Sequence, residues 1–483
     1  MRAKAIMVLG TTSGAGKSWL ATALCRYYAR QGFKVAPFKA QNMSNNARVV
    51  AGGEIGSAQY FQALAAKAIP EVRMNPLLLK PESDTHSQVI ALGQVSTELT
   101  QIPWQDRSEH VRTMIKKALS ELMSENDIVV IEGAGSPAEI NLKERDIVNM
   151  RVAMAAQANC LLVTDIDRGG AFAHLYGTHQ LLQPEEQNLI KGFVLNKFRG
   201  DASLLAPGPD MLLALTGVPT VATLPMWWQH GLPEEDGLYI RPISNAEITT
   251  TIAIIAYPRI SNLDEFQILN NIPGVQLKWV RSAYEIADAD WLILPGSKNT
   301  SADLLWLRSQ GFDIAIANHA AQGKVVLGIC GGLQMLGEAL IDPHSIEGNA
   351  AGLGLLPLVT QFEKNKTVQH CETQFATDLS GVWTALSDVQ ISGYEIHQGQ
   401  TTQHPAMAKA GDVAVCALPN ALGWQNNKGN VLGIYLHGLF EDEAALKALF
   451  GISTPILDSV FDGLADYIDH HFEPQFLNKL IKN

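Results

Sequence analysis

Gly10-Thr11-Thr12-Ser13-Gly14-Ala15-Gly16-Lys17-Ser18 stands between the apolar run Ala5–Leu9 and a stretch of good helix formers, Ser18 to Arg30, followed by Gly32 as a helix stop. Strand, glycine-rich loop, Lys-Ser and helix, in that order, are the parts of a phosphate-binding loop. Glycines let backbone N–H groups turn inward around phosphate oxygens, and the helix N-terminus adds positive potential there. Gly10, Thr12, Ser13, Gly14 and Gly16 are therefore candidate ATP contacts, Lys17 reaches the outer phosphates, and Ser18 is a candidate Mg2+ ligand. Five residues separate Gly10 from Gly16, where the usual spacing is four.

The next buried-strand pattern, Ile128-Val129-Val130-Ile131, ends on Glu132. A carboxylate at the C-terminal edge of a parallel sheet is placed to hold Mg2+ beside the loop, which makes Glu132 the candidate metal ligand. Asp165 and Asp167 end the following strand and compete for that role, and Asn196 ends another as a candidate contact to the adenine base. Further runs at Lys34–Phe38, Cys160–Thr164, Gly192–Leu195 and Thr220–Leu224 complete a first α/β series.

A second series runs through Thr251–Ala256, Val275–Val280, Trp291–Leu294, Val325–Ile329 and Val431–Leu436. The expected fold is thus α/β, with two doubly wound, mainly parallel-sheet domains: 1–228, a linker over 229–250, and 251–447, followed by a helical extension over 448–483. The linker holds Glu234-Glu235-Asp236 and no periodicity; Trp227-Trp228 before it either line a pocket or pack on a domain face. Ile456 to Phe472 is helical in its apolar spacing and is expected to pack on the second domain. His470 and His471 at its end suit the helix dipole and suggest no metal.

Within the second series, Val325–Ile329 leads into Gly328-Ile329-Cys330-Gly331-Gly332 and then a helical pattern. This is a nucleophile elbow with sulfur in place of oxygen. The helix N-terminus favours a thiolate, and the Gly331 N–H can face a developing oxyanion. His437 ends the strand Val431–Leu436, and strand ends of a parallel sheet cluster at one edge, so His437 is the candidate base for Cys330. The loop after Trp291–Leu294, at Gly296, either supplies a second oxyanion donor or is a plain turn. Cys25, Cys160, Cys371 and Cys416 lack such settings and are read as structural.

Bulk composition fits this picture. With 483 residues, 47% apolar and 17% charged, large cores can form. A net charge of −12 gives no general attraction for nucleic acid or anionic membrane. No apolar run of membrane-spanning length is present, and five cysteines without a C-x-x-C pair suggest neither disulfides nor zinc, which fits a cytoplasmic protein.

The long-form phosphate loop resembles the dethiobiotin-synthetase-like branch of P-loop proteins. Gly328–Gly332 with Tyr435-Leu436-His437-Gly438 resembles a class I glutamine amidotransferase domain, and the combination is similar to the cobyrinic and cobyric acid synthases of cobalamin biosynthesis. The strings Lys39–Asn46, Glu54–Gln59, Asn75–Pro81, Ser87–Ile90, Pro258–Asn262 and Gly393–His397 resemble the cobyric acid synthase family in particular; Lys39–Asn46 argues against the a,c-diamide synthases. The resemblance implies ATP- and glutamine-dependent amidation of the b, d, e and g carboxylates of adenosylcobyrinic acid a,c-diamide, a corrinoid, to adenosylcobyric acid. It also implies passage of ammonia between two sites. Many class I amidotransferases carry His-x-Glu; here Gly438 and Leu439 follow His437 and Glu441 comes two residues late, so a Cys330–His437 dyad is expected with the third role open.

Overall fold

The computed structural model describes residues 3–82, 86–228, 230–233, 248–452 and 457–482, so most of the 229–250 stretch expected as a linker lies outside the described residues. In the first half six strands form one sheet in the order Thr220–Pro225, Ile190–Phe198, Asn159–Asp165, Lys4–Gly10, Ile128–Glu132 and Val35–Phe38. Every neighbouring pair is parallel. Ile128–Glu132 is buried along its whole length and Lys4–Gly10 from Ala5 onward, as a sheet covered on both faces requires. Parallel pairing sends all C-terminal ends to one edge, so the register Val8–Glu132 and Gly10–Val163 places the phosphate loop between the Glu132 and Asp165 strand ends.

The second half holds a seven-stranded sheet in the order Val275–Val280, Thr250–Ile255, Trp291–Leu294, Val325–Ile329, Val431–Ile434, Gly423–Gln425 and Val415–Leu418. The first five are parallel and the last two add antiparallel pairs at one edge. Both halves are therefore mainly parallel α/β layers, as the sequence pattern implies. Two features lie outside that pattern. A short hairpin, Ala47–Val50 with Gly53–Gly56, leaves the first half. A long antiparallel ribbon, Leu358–Gln374 with Gln390–Gln403, leaves the second. They grip each other: Lys366 Nζ lies 2.6 Å from Glu54 Oε1, and His370 Nε2 lies 2.7 Å from the Val49 carbonyl.

The C-terminal helices correct one expectation. Leu457–His471 and Phe476–Lys482 cover the first half, not the second. Phe461, Leu464, Ile468, Leu477 and Leu480 join one core with Ile6, Leu20, Leu24 and Tyr28. Leu20, Leu24 and Tyr28 recur every four residues along the helix Lys17–Arg30, giving it an apolar stripe that needs a partner. Polar bonds fix the register: Arg26 Nε to Asp462 at 2.8 Å, Tyr28 Oη to the Leu477 carbonyl at 2.7 Å, and Asn159 Nδ2 to the Leu480 carbonyl at 2.6 Å. Among the described residues no helix is long and apolar enough to cross a membrane.

Candidate functional site

Two clusters stand out, one at each sheet's C-terminal edge. At the first, the extra residue of the phosphate loop is accounted for: Thr11 N–H donates to the Val163 carbonyl at 2.9 Å and its hydroxyl to Thr164 Oγ1 at 2.9 Å. Thr11 thus extends the sheet by one residue before the loop turns. Gly16 has φ +102°, and a Cβ there would lie 2.0 Å from Asn196 Nδ2, so only glycine fits. Lys17 Nζ folds over the loop, donating to the carbonyls of Thr12 at 2.9 Å and Gly135 at 3.3 Å. Ser13, Gly14, Gly16, Lys17, Ser18, Glu132 and Asn196 all line one cleft of about 360 Å3.

Glu132 faces Ser18: Oγ donates to Oε1 at 2.8 Å. Lys39 Nζ sits 2.8 Å from the same oxygen, and Gln62 Nε2 donates to Oε2 at 2.6 Å. Burial alone would raise the Glu132 pKa, but Lys39 together with the Gln62 and Ser18 hydrogen bonds outweighs it, and the net shift is downward, so the carboxylate stays charged. Asp165 pairs instead with Lys197 at 3.2 Å and Arg168 at 3.4 Å, and Asp167 pairs with Arg199. Asn196 Nδ2 donates to the Ala15 carbonyl at 2.9 Å, bracing the loop. Lys39 and Gln62 were missed as site residues: Lys39 follows the sheet strand Val35–Phe38 and Gln62 lies on the helix Ser57–Ala65, so both lie outside the glycine loop and only the fold brings them to Glu132. Trp227 serves both readings open for it, lining the cleft and stacking on Tyr467 with ring centroids 4.8 Å apart.

At the second edge Cys330 adopts φ 52° and ψ −106° between the strand Val325–Ile329 and the helix Gly331–Leu336. Backbone in that region is strained for a residue with a side chain, as a nucleophile elbow demands. The turn closes so tightly that a Cβ on Gly332 would lie 1.9 Å from the Leu294 carbonyl oxygen. His437 is 1% exposed and close enough to Cys330 for the sulfur to help raise its pKa, while Cys330 Sγ itself lies 3.6 Å from the Ile396 carbonyl oxygen.

The third member is Glu265. Its Oε1 lies 2.8 Å from His437 Nδ1, and its Oε2 accepts the Gly438 N–H at 2.8 Å. With Nδ1–H donated to the carboxylate, Nε2 is the nitrogen left for sulfur. Burial opposes an imidazolium, but the Glu265 carboxylate and then Cys330 outweigh it and raise the His437 pKa from 6.5 to about 10. His397 is the other histidine nearby, and both its nitrogens are engaged, Nδ1 with the Gly399 carbonyl and Nε2 with Glu395, each at 2.8 Å. Glu441 does not replace the missing His-x-Glu acid: its carboxylate is held by Arg48.

Gly296–Ser297 pairs with Ile260–Ser261 as a short antiparallel ladder. The Lys298 N–H donates to the Arg259 carbonyl at 2.8 Å, which makes Ile260–Ser297 the non-hydrogen-bonded pair and turns the Ser297 N–H away from that ladder. A Cβ on Gly331 would lie 2.8 Å from the Ser297 nitrogen, so the backbone of this loop closes directly on Gly331. A Cβ on Gly296 would come within 2.9 Å of His437 Cε1, which ties this loop to the imidazole. Cys330 opens into a small cavity of about 40 Å3, walled by Thr300, Gln334, Glu347 and Lys366 and, from the first half, by Asn45 and Lys80.

The first half matches the family described as the CobQ/CobB/MinD/ParA nucleotide binding domain over residues 6–231. The second matches the CobB/CobQ-like glutamine amidotransferase domain over residues 251–445. Over its full length the chain is 70% identical to the cobyric acid synthase of Polaromonas naphthalenivorans (strain CJ2), covering 100% of both chains. It is 68% identical to that of Polaromonas sp. (strain JS666 / ATCC BAA-500), over 99% of this chain and 98% of the relative. It is also 68% identical to that of Variovorax paradoxus (strain S110), over 100% of both.

Proposed function

This chain belongs to the cobyric acid synthase family, and on that premise we propose that it forms corrinoid amides with ammonia released from glutamine and energy from ATP. In this proposal 251–447 releases the ammonia and 1–228, with the C-terminal helices, uses it. The acceptors are the b, d, e and g carboxylates of adenosylcobyrinic acid a,c-diamide. The observation that carries the reading is the Cys330–His437–Glu265 array in a chain whose other half sets Ser18 and Glu132 beside a phosphate loop.

In the glutamine half, Cys330 sulfur attacks the side-chain amide carbon of glutamine. The amides of Gly331 and Ser297 receive the oxyanion. His437 takes the thiol proton and delivers it to departing ammonia, while Glu265 holds the ring in place and supports its positive charge. Water then cleaves the thioester to glutamate. In the nucleotide half, a substrate carboxylate oxygen attacks the γ-phosphorus of ATP and ADP leaves. Lys17 stabilises charge on the transferred group, and Asn196 braces the loop beneath it. Ammonia displaces phosphate from the acyl phosphate to give the amide.

The Ser18 hydroxyl and the Glu132 carboxylate form an all-oxygen pair facing the phosphate loop. That donor set fits Mg2+, which takes one or two protein oxygens and completes its shell with phosphate and water, once the Lys39 ammonium on the same Glu132 oxygen turns aside for it. Bound there, Mg2+ would neutralise phosphate charge.

The test is Cys330→Ala supplied with either nitrogen source. The variant should lose glutamine-driven synthesis and keep synthesis from concentrated ammonium salts. Failure of ammonium to rescue a folded variant sinks the two-site scheme.

A further inference from the structure

The two sites share a wall built from one stretch of the first half. It begins at the phosphate cleft, where Lys39 lies 2.8 Å from Glu132, and ends behind His437. There Asn46 Oδ1 accepts the Leu263 N–H at 2.9 Å, and the Ala47 carbonyl accepts Asn262 Nδ2 at 2.7 Å. Arg48, on the strand Ala47–Val50 and 2% exposed, forks onto Glu441 with two bonds of 2.6 Å and also pairs with Asp264.

Both partners of Arg48 are chain neighbours of the glutaminase machinery. Asp264 directly precedes Glu265. Glu441 closes the turn after His437, its N–H donating to the Gly438 carbonyl at 2.9 Å. Tyr394 stacks on the His437 ring with centroids 5.3 Å apart, takes a bond from Asn262 at 2.8 Å, and has the Arg48 guanidinium 5.2 Å from its own ring centroid.

Glu265 rides on Leu263–Asn271, a 3-10 segment with poor intrinsic hydrogen-bond geometry. Its orientation therefore depends on what anchors the segment's start, and three of the cross-half anchors just named fall there, at Asn262, Leu263 and Asp264. Asp264, Glu265 and Glu441 also bring three carboxylates together around one imidazole. Without Arg48 among them they repel, and one takes up a proton and gives up its place as a charged acceptor. Arg48 supplies the cation that prevents this, and its planar fork fixes direction as well as charge.

We propose that Arg48 is a positioning residue for glutamine hydrolysis: a side chain of the nucleotide-binding half that fixes the Glu265–His437 pair of the other half, so that the Cys330 site is complete only with the two halves docked. This rests on the glutaminase reading above. Arg48 touches neither glutamine nor sulfur; it acts through Asp264, Glu441 and Tyr394.

The experiment measures glutamine hydrolysis and ammonium-supported synthesis by the full chain carrying Arg48→Met or Arg48→Lys. Arg48→Met should lower kcat for glutamine about 10- to 100-fold, the scale of a small misplacement of catalytic groups, with KM changed by less than about threefold. Ammonium-supported synthesis should persist. Arg48→Lys should recover part of kcat, because it restores charge without the fork. An unchanged kcat in Arg48→Met overturns the proposal, as does an equal fall with both nitrogen sources, which would mean that Arg48 only holds the chain together. If Arg48→Met does not fold, the isosteric Asp264→Asn carries the same expectation and the same refutation. Cys330→Ala run alongside separates the two claims. Glutamine hydrolysis surviving in Cys330→Ala would remove the glutaminase reading itself. Hydrolysis lost there but intact in Arg48→Met would remove only the positioning role.

Discussion

Replacing Glu265 by Gln changes one oxygen to nitrogen with almost no change of shape, and its effect can be worked from the geometry. The carboxylate accepts from His437 Nδ1 and from the Gly438 N–H, each at 2.8 Å, and is fully buried. An amide can accept from one of these donors only, so one charge-assisted bond is lost and the imidazolium loses its counter-charge. Hydrogen bonds to charged groups contribute about 1.5–3 kcal/mol, and with the lost counter-charge about 2–4 kcal/mol of transition-state stabilisation disappears, or about 30- to 1,000-fold in glutaminase kcat. The pH dependence has a definite sign. Against burial, Glu265 and then Cys330 raise the His437 pKa from 6.5 to about 10, so the imidazolium persists well into alkaline solution in the unaltered protein. Without the carboxylate its pKa falls, and the alkaline limb of kcat/KM for glutamine moves to lower pH. The stability that this pairing contributes is fully present below about pH 6.5 and is lost as pH rises through about 10, so parent and variant converge in stability at high pH. The assay is glutamate release against pH, with ammonium-supported synthesis as the control. A Gln variant within threefold of the parent, with an unmoved alkaline limb, would refute the role given to Glu265.

Lys17→Ala should spare glutamine hydrolysis but reduce amide formation from glutamine and from ammonium alike by about 100-fold or more, since the other ammonium on the loop, Lys197 Nζ at the Gly14 carbonyl, is already paired with Asp165; wild-type synthesis in this variant would remove the phosphate loop from the mechanism. Phe461→Ala, at a side chain 1% exposed in the core under the first sheet, should cost about 3–5 kcal/mol there. Backbone hydrogen exchange should then quicken in Lys4–Gly10 and Lys17–Arg30; quickening confined to Thr250–Ile255 would contradict the observed packing.

What the sequence revealed and what it hid follow from how local each signal is. The phosphate loop, Glu132, Cys330 and His437 all end or follow short apolar runs, and a parallel sheet gathers such ends by construction, so pattern alone brings them to the two edges. Glu265 has no such marker. It sits on an irregular segment 172 positions from His437, and only the folded chain brings the two together. Glu441 looked closer to the task by spacing, but its carboxylate is taken by Arg48, whose part is equally invisible in the sequence. The amphipathic stripe of Ile456–Phe472 was legible while its partner was not, because an apolar face does not specify which apolar face will cover it. The long ribbon of Leu358–Gln374 escaped notice for a related reason: half-buried between the two halves, it lacks the continuous apolar run of a core strand.

On the proposed reading, one chain moves glutamine nitrogen onto corrinoid carboxylates with the hydrolysis of ATP. The most direct test is mass spectrometry of a corrinoid a,c-diamide incubated with the full chain, ATP, Mg2+ and glutamine labelled with heavy nitrogen at the side-chain amide. Successive products are expected, each one labelled amide richer than the last and ending at four, with one ADP formed per amide. A corrinoid that stays unaltered while glutamine is hydrolysed, or amides that form without label, would contradict it.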